Sequence, residues 1–359
     1  MKEKSKIRIL TQNPFSVWFW WVELQASKYI ENIKKIDNTI DIWYFKWDEK
    51  DFDILHIIWI HSWINPYWID VLKERWVKII ISPVFYIKPN SLFDFRRPII
   101  YKLFSYIPFH IINWMKQLAN KADLILPNSE EEKNQLINIF WVNSKKINIL
   151  YNWVDEKYFD KINKDLFKNK YNLEKYILSV SHIEPRKNHL SLIKWFLKYI
   201  KENKSNLKLV LLWNFRWNYF DYHNKIKILL KNNKENIIYI NNLTSKNELF
   251  KSVYLWSEAH FLLSSLETPW LSNIESWLAW NKLILWKCKP VKEYFKNYAI
   301  YINWKNIKQI IKEIENIDNN VIKHNKKNQI EFIKQNYIWE KIWEKLLNHY
   351  KNILIWKKK

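Results

Sequence analysis

The amino-acid sequence predicts an α/β protein built from two doubly wound domains of parallel strands. Short apolar runs alternate with amphipathic segments along most of the 359 residues, and two such series follow one another. Apolar runs of this length, separated by helices, are typical of parallel sheets covered by helices on both faces. Two series therefore indicate two Rossmann-like domains, and the chain is long enough to give each domain a core.

The first series begins with "KIRIL" (6–10), which we expect to be a strand, and continues with "VELQASKYIENIKK", which we expect to be a helix. Further strands are expected at 53–58, 78–86 and 122–129. The second series is expected to place strands at 176–181, 207–212, 236–240, 259–265 and 282–286.

The boundary between the series is expected where apolar periodicity lapses, in "LYNWVDEKYFDKINKD" (150–165). The predicted organisation has four parts: a first domain at 1–152, a linker at 153–175, a second domain at 176–335, and a C-terminal helix with a basic tail at 336–359.

The chain contains no glycine and 24 tryptophans. Average usage would give glycine at roughly 7%, or about 25 residues, so the deficit and the excess are of similar size. Trp47 lies in "KWD", and six more tryptophans touch an asparagine, where glycine-containing turns are expected. These six are Trp114, Trp153, Trp213, Trp217, Trp280 and Trp304.

These positions suggest that most tryptophans stand where the natural protein has glycine. A UGA codon that the organism reads as glycine, translated here as tryptophan, would produce this pattern. The alternative is a genuinely tryptophan-rich protein, in which other residues would have to supply the turns.

The formal net charge of +23 indicates anionic partners, such as nucleotide phosphates, anionic lipid or nucleic acid. The single cysteine, Cys288, excludes an intrachain disulfide framework and a cysteine zinc cluster. We see no signal-peptide layout and no apolar run near the 18 residues that a membrane span needs, so a cytoplasmic location is expected.

The segment "SSLETPWLSNIESWLAW" (264–280) places Glu267 and Glu275 with seven residues between them, after an apolar strand and before a helix. A helix that opens at the carboxyl end of a parallel strand offers free N–H groups to a diphosphate. The two glutamates could hold ribose hydroxyls or stabilise developing positive charge. The alternative is that "SNIE" (272–275) is a capping box and Glu275 only satisfies helix amides.

The segment "SVSHIEPRKNHLSLIKWF" (179–196) places Arg186 and Lys187 just before a helix. Cations are poorly placed at the positive end of a helix dipole, and an anionic ligand between them and the amides would remove the conflict. The alternative is a solvated charge pair.

Together these segments resemble glycosyltransferase family 4, retaining enzymes whose GT-B fold has two Rossmann-like domains facing a central cleft. The glutamate pair is similar to that family's E-x7-E motif, and "HIEPRKN" is similar to its donor-phosphate motif. With glycine restored, three more stretches match the family in order: "VWFWWVE", "LYNWVD" (150–155) and "PVKEYF" (290–295), the last carrying Glu293.

The resemblance implies transfer of a sugar from a nucleotide-sugar donor to a glycan or lipid-linked acceptor, with retention of configuration, in cell-surface polysaccharide or glycolipid synthesis. The first domain would bind the acceptor and the second the nucleotide sugar. Lys187 and Arg186 would bind the donor diphosphate, Glu275 the ribose, and Glu267 would lie near the anomeric centre. No metal or other cofactor is expected.

The resemblance also implies that backbone groups approach the donor closely. The amides of Trp270, Leu271 and Ser272 would hold phosphate, and the loop at Trp20 and Trp21 would approach the donor phosphate and the acceptor. We expect glycine at the three tryptophan positions.

Two departures from the family pattern concern histidines. His182 stands where the family often has arginine, so part of the phosphate clamp is expected either to be weakened or to be supplied by Arg186. The family's first-domain histidine is missing, and His61 is its nearest substitute, although a structural role is the alternative.

The segment "RRPIIYKLFSYIPFHIINWMKQLANK" (96–121) combines basic, aromatic and aliphatic residues. This composition fits a helix on an anionic membrane surface, a helix that lines an acceptor cleft, or an ordinary surface helix of a basic protein. The resemblance favours peripheral attachment to the inner face of the plasma membrane.

Other functions agree less well with the sequence. An NDP-sugar epimerase or phosphorylase would share the fold, but we see no acid/base set or pyridoxal-phosphate lysine for either. A nucleic-acid-binding protein fits the charge but not the glutamate pair, and no specific nucleic acid is expected. A Rossmann dehydrogenase would need G-x-G-x-x-G, which the restored "GFGG" does not complete.

Overall fold

The computed structural model describes residues 4–11, 21–60, 64–87, 96–216, 219–241, 243, 247–265, 267, 271–303, 305–321 and 326–355, without the side chains of 21, 96–98 and 326–327. The chain divides into two compact units. Unit 1 consists of Met1–Tyr151 with Glu340–Lys359, and unit 2 is Asn152–Trp339. Each unit contains a parallel sheet with helices, so the predicted α/β class with two doubly wound domains is confirmed.

Unit 1 contains a parallel sheet with the strand order β2-β1-β3-β4-β5. The central strand β3 is isoleucine and leucine apart from His56, and all its residues are buried, which suits a strand covered on both faces. Asp123 supports the sheet by accepting from the backbone N–H of Ile79 at 2.8 Å. The strands are β1 (Ser5–Leu10), β2 (Ile40–Tyr44), β3 (Ile54–Ile58), β4 (Lys78–Ser82) and β5 (Leu124–Ile125).

The first helices of unit 1 have caps that the sequence supplies. Asn65 accepts from the N–H of Tyr67 ahead of α2, and Ser129 accepts from the N–H of Glu132 ahead of α5. These helices are α1 (Trp21–Ile36), α2 (Pro66–Glu74), α3 (Arg96–Phe104), α4 (Ile111–Lys121) and α5 (Glu130–Phe140).

Unit 2 contains a parallel sheet with the strand order β11-β10-β9-β6-β7-β8. The order runs outward in one direction from β6 to β8 and in the other from β9 to β11. The strands are β6 (Tyr176–Val180), β7 (Lys208–Leu212), β8 (Ile237–Ile240), β9 (Ala259–Leu262), β10 (Lys282–Trp286) and β11 (Ala299–Ile302).

Helices cover this second sheet, and the 3-10 turn Pro185–Lys187 precedes α7. Leu192, Ile193 and Phe196 of α7 are buried in the core beneath the sheet. The helices are α6 (Leu166–Tyr171), α7 (His189–Asn203), α8 (Phe220–Asn232), α9 (Glu248–Leu255), α10 (Leu271–Leu278), α11 (Lys289–Phe295), α12 (Ile307–Asp318) and α13 (Lys326–Asn336).

The last helix, α14 (Trp339–Ile355), lies almost wholly in unit 1. Its Tyr350 hydroxyl is 2.6 Å from Nδ1 of the buried His56, whose Nε2 is 2.9 Å from the hydroxyl of Ser82. Burial lowers the pKa of His56 to about 3, so the imidazole is neutral. Lys351 forms an ion pair with Asp37 at 2.6 Å. The buried face of α14 is therefore part of the interior of the first unit.

Two strands were missing from the prediction, β2 and β11, and each lies at the edge of its sheet. In β2, Asp41 interrupts the apolar run, whereas β11 (AIYI) is apolar but only partly buried. The predicted strands at 78–86, 122–129 and 259–265 extend beyond the structure's β4, β5 and β9 because their last residues form the loops that follow.

Several tryptophans have a backbone conformation that glycine adopts readily. Trp213 (φ 126°) and Trp280 (φ 68°), both predicted at turns, have positive φ, a genuine outlier for so bulky a residue. Trp114 lies inside α4, so the prediction of a turn there is wrong. Trp217 and Trp304 lie outside the described residues. Three further tryptophans with positive φ are Trp59 (96°), Trp76 (61°) and Trp141 (53°).

Candidate functional site

The site lies in unit 2, at the point where the strand order of the sheet reverses. Strands β6 and β9 are neighbours there, although about 80 residues separate them in the chain. In open parallel sheets, ligands bind outside the carboxyl ends of the strands at such a switch point. The loops after β6 and β9 carry the two motifs singled out in the sequence, and Ser265 N–H donates to the Arg186 carbonyl at 2.8 Å.

Lys187 and Glu267 form a buried ion pair in these two loops. The Lys187 ammonium lies 2.9 Å from Oε1 and 3.0 Å from Oε2 of Glu267. The exposed fraction is 0% for the lysine side chain and 2% for the glutamate side chain. Burial lowers the pKa of Lys187 to about 8, and the Glu267 charge opposes this shift. A solvated charge pair is therefore wrong for Lys187.

Arg186 contacts two carboxylates. Its guanidinium is 3.5 Å from Oε2 of Glu267 and 2.5 Å from Oε1 of Glu184. Glu184 also accepts from Arg216 at 3.1 Å. Burial would raise the pKa of Glu184, but the charges of Arg186, Lys187 and Arg216 hold it below its ordinary value.

Glu184 and Arg216 were not predicted as site residues from the sequence. Glu184 stands inside the motif "HIEPRKN", and Arg216 follows the strand next to β6. Their position after a strand was the signal that could have identified them.

The start of α10 is fixed to the end of β6. The Ser272 hydroxyl donates to the Val180 carbonyl at 3.0 Å, and Leu271 is the first residue of the helix. Ser272 therefore lies inside α10, and its hydroxyl does not cap the helix. The predicted alternative of a capping box with Glu275 is wrong.

Glu275 faces aromatic residues of unit 2. Its Oε2 accepts from the hydroxyl of Tyr254, a residue of α9, at 2.9 Å. Burial raises the pKa of this carboxyl to about 7, and the hydrogen bond from Tyr254 opposes the shift. The Glu275 carboxyl therefore gains or loses its proton near neutral pH. It lies in α10, whereas Lys187 and Glu267 lie in the loops after β6 and β9.

His182 and Glu293 are the remaining predicted residues with a described position. Burial lowers the pKa of His182, so its imidazole is neutral at pH 7. Its ring centroid lies 5.7 Å from that of Trp213. Glu293 lies in α11, the helix that follows Cys288. The Cys288 thiol is 4.0 Å from the Glu267 carbonyl, which brings the start of α11 next to the site.

Three predicted site residues, Trp20, Trp270 and His61, lie outside the described residues. Trp21 is the first residue of α1, and only its backbone is described. In the part of the chain that is described, no cluster of three or more His, Cys, Asp or Glu side chains is arranged to hold a metal ion. No helix among those residues is both long enough and apolar enough to span a membrane.

One stretch of the chain is similar to a curated enzyme. Over 95 residues it is 38% identical to N-acetylgalactosamine-N,N'-diacetylbacillosaminyl-diphospho-undecaprenol 4-alpha-N-acetylgalactosaminyltransferase of Campylobacter jejuni. The match covers 26% of this chain and spans 24% of that enzyme's length. No protein-family model matches the chain.

Solved structures match nearly the whole chain. A glycosyltransferase from Rickettsia africae superposes with a TM-score of 0.71 at 16% identity, covering 99% of each chain. The chain has the GT-B fold. Sucrose-phosphate synthase from Thermosynechococcus elongatus gives 0.72 at 12% identity, covering 98% of this chain and 100% of that one. Anabaena HepE in complex with UDP gives 0.70 at 10% identity, covering 97% and 100%.

Proposed function

We propose that the protein is a glycosyltransferase that moves a hexose from a nucleotide sugar to a glycan or lipid-linked acceptor. The observation that carries the proposal is the buried Lys187–Glu267 pair at the switch point of a GT-B sheet, beside the start of α10. The 95-residue similarity to an N-acetylgalactosaminyltransferase that acts on a diphospho-undecaprenol-linked acceptor supports both the reaction and the acceptor class. The UDP bound to Anabaena HepE supports a nucleotide-sugar donor.

In this proposal each site residue has a separate role. Lys187 and Arg186 bind the donor diphosphate and stabilise the negative charge that develops on the leaving group. Glu267 lies near the anomeric carbon, and Glu275 accepts hydrogen bonds from the ribose hydroxyls. The amides at the start of α10, including those of Leu271 and Ser272, hold phosphate oxygens. The cationic side chains supply the positive charge without a metal, and the configuration is retained as in glycosyltransferase family 4.

We propose that the protein acts at a membrane surface. The corner between α3 and α4 exposes Leu103 (63%), Tyr106 (61%) and Phe109 (79%) to solvent. Residues 96–122 contain no acidic side chain and include Lys102 and Lys116. Apolar side chains beside lysines are suited to insertion between anionic headgroups. A lipid-linked acceptor would be met at such a surface.

We also propose that most tryptophans stand for glycine in the natural protein. Among the described residues, five of the thirteen positions with positive φ are tryptophan, although tryptophan contributes 24 of 359 residues. The buried indole N–H of Trp277 has no hydrogen-bond partner within the described structure, which is uncommon for a buried tryptophan. The intact mass of the natively expressed protein decides the matter, and a mass that fits 24 tryptophans would overturn this part of the proposal.

The function is tested by screening nucleotide sugars for hydrolysis or transfer. The full chain is made with the residues that peptide mass mapping of the natively expressed protein establishes. Activity that is lost in both Lys187→Ala and Glu267→Ala supports the proposal, and full activity in both variants would end it. Interconversion of two nucleotide sugars without transfer would favour an epimerase. Nucleic-acid binding that survives both substitutions, with no sugar transfer for any donor, would favour a basic nucleic-acid-binding protein.

A further inference from the structure

Five charged side chains of unit 2 form one alternating chain, which we name the ionic chain. It runs Arg216, Glu184, Arg186, Glu267, Lys187. Successive members lie within 3.5 Å, with the Arg216–Glu184 contact at 3.1 Å and the Glu184–Arg186 contact at 2.5 Å. It has three cations and two carboxylates, so its formal charge is positive.

The two carboxylates of the ionic chain are almost completely buried, at 2% exposure each, whereas its end at the arginines reaches solvent. Arg186 is 28% exposed and Arg216 is 39% exposed. Positive charge is therefore presented to solvent by the two guanidinium groups. A guanidinium offers its N–H donors in a planar fork that matches two phosphate oxygens.

Arg216 is held beside the phosphate motif by its backbone as well as by its side chain. It follows β7, the strand next to β6, so the loops after β9, β6 and β7 meet at the same edge of the sheet. The Ile183 N–H donates to the Asn214 carbonyl at 3.0 Å, and the Arg216 N–H donates to the Ile183 carbonyl at 3.2 Å. These bonds fix the loop of Arg216 against the segment that carries Lys187.

We infer that Arg216 binds the phosphates of the donor nucleotide, and that Glu184 is a positioning residue that orients Arg216 and Arg186. The inference rests on the proposed function, because it assigns a ligand to the same site. Glu267 offsets part of the Lys187 charge, and His182 is neutral, so a diphosphate needs further cationic side chains besides Lys187. Arg216 supplies one from a loop outside both sequence motifs.

The test measures calorimetric binding of inorganic pyrophosphate and of UDP to the full chain. Arg216→Ala should weaken pyrophosphate binding by about 10-fold or more, since it removes charge-assisted hydrogen bonds. Arg216→Lys should give a smaller loss, because an ammonium keeps the charge but not the fork. Arg75→Ala, which removes an exposed arginine from unit 1, should leave binding within about 2-fold.

Glu184→Gln separates a positioning role from a simple charge effect by the sign of the change. If Glu184 acted only through its charge, its removal would tighten pyrophosphate binding. If Glu184 positions the two arginines, Glu184→Gln should instead weaken pyrophosphate binding. The loss of affinity should then be smaller when Arg216 has already been replaced by alanine. Thermal unfolding of each variant checks that it is folded, and Arg216→Ala decides the question if Glu184→Gln does not fold.

Lys187→Ala distinguishes failure of this inference from failure of the proposed function. If Lys187→Ala weakens pyrophosphate binding and Arg216→Ala does not, Arg216 has no role at the site and the inference is overturned alone. If the parent protein binds neither pyrophosphate nor UDP, the donor site itself is absent and both are overturned. Weaker binding in both variants, with Arg75→Ala unchanged, is the expected result.

Discussion

The Lys187 ammonium lies 2.9 Å from a carboxylate oxygen of Glu267, a residue 80 positions later in the chain, and both side chains are almost completely buried. A buried ion pair contributes little net stability, because removing both charges from water offsets their attraction. This pair is therefore better explained by what it does for a ligand than by what it does for folding. The energetics of this pair determine how its variants unfold and how UDP binding depends on pH.

Removing one partner of the pair should destabilise the protein, and removing both should restore most of the loss. Lys187→Met leaves Glu267 buried with Arg186 at 3.5 Å as its remaining cation, and we expect a loss of about 3 kcal/mol in the free energy of unfolding. The double variant Lys187→Met/Glu267→Leu should recover most of this loss. Urea denaturation of the parent, both single variants and the double variant measures the coupling. Additive losses would show that the two charges do not interact.

Binding of UDP should weaken as the pH rises through about 8. Burial lowers the pKa of Lys187 to about 8, so the ligand-free protein loses this positive charge above that pH. We expect the dissociation constant to rise by up to about tenfold per pH unit above 8. Lys187→Arg should remove that dependence, because arginine stays charged throughout this range. An unchanged pH profile in the arginine variant would assign the effect to another group.

Glu275 should make the protein less stable as the pH rises through 7. Its pKa is raised by burial to about 7 in the folded protein, so the folded state binds a proton that the unfolded state releases. This contribution to stability is fully present below the ordinary glutamate pKa and is lost as the pH rises through 7. Glu275→Gln should therefore gain stability relative to the parent between about pH 5 and pH 8, as measured by urea denaturation. The exposed Glu235→Gln serves as the matched control and should show no such gain.

Phe109 should be needed for binding to anionic vesicles, and Phe220 should not. The two side chains are equally exposed, at 79%, but Phe109 lies at the basic α3–α4 corner and Phe220 at the start of α8. Phe109→Ser should lower the partition onto phosphatidylglycerol-containing vesicles by about tenfold, the scale expected for one phenylalanine side chain leaving an apolar environment. Cosedimentation compares both variants on these vesicles and on pure phosphatidylcholine. Equal losses for both phenylalanines would contradict a membrane contact at this corner.

Two tryptophan-to-glycine substitutions should act in opposite directions. Trp76 is 72% exposed with φ 61°, and it follows the end of α2, where glycine is the favoured residue. Trp76→Gly should stabilise the protein by about 1 kcal/mol, since the strain of a left-handed side-chain-bearing residue is relieved. Trp114→Gly, inside α4, should destabilise it by about 1 kcal/mol or more. Thermal unfolding of the protein with this exact sequence measures both, and a destabilising Trp76→Gly would contradict the glycine assignment at that turn.

Much of the fold was predictable because the buried strands are continuous apolar runs. "DILHII" and "YILSVS" contain β3 and β6, whose residues are all buried. The edge strand β2 was not predicted, because Asp41 interrupts its apolar run. The edge strands β5 and β8 were predicted, whereas β11 (AIYI) was not predicted although it is fully apolar.

The site was predictable in its residues but not in its contacts. Spacing and motif indicated Lys187 and Glu267 separately, but only the strand order, with β9 beside β6, brings them together. Arg216 was not predicted for the same reason, because its loop can be assigned to the site only when β7 is known to lie beside β6. Strand order depends on packing between distant segments, which no local pattern specifies.

The return of α14 to unit 1 has a consequence for how the chain is made. The residues of unit 1 are synthesised first, but the Tyr350 hydroxyl that reaches His56 belongs to the last helix. Unit 2 is continuous from Asn152 to Trp339 and can complete its own interior while synthesis proceeds. His56 therefore lacks its Tyr350 neighbour until α14 has been translated, after the whole of unit 2. Unit 1 thus completes its interior later than the segment that is inserted into it.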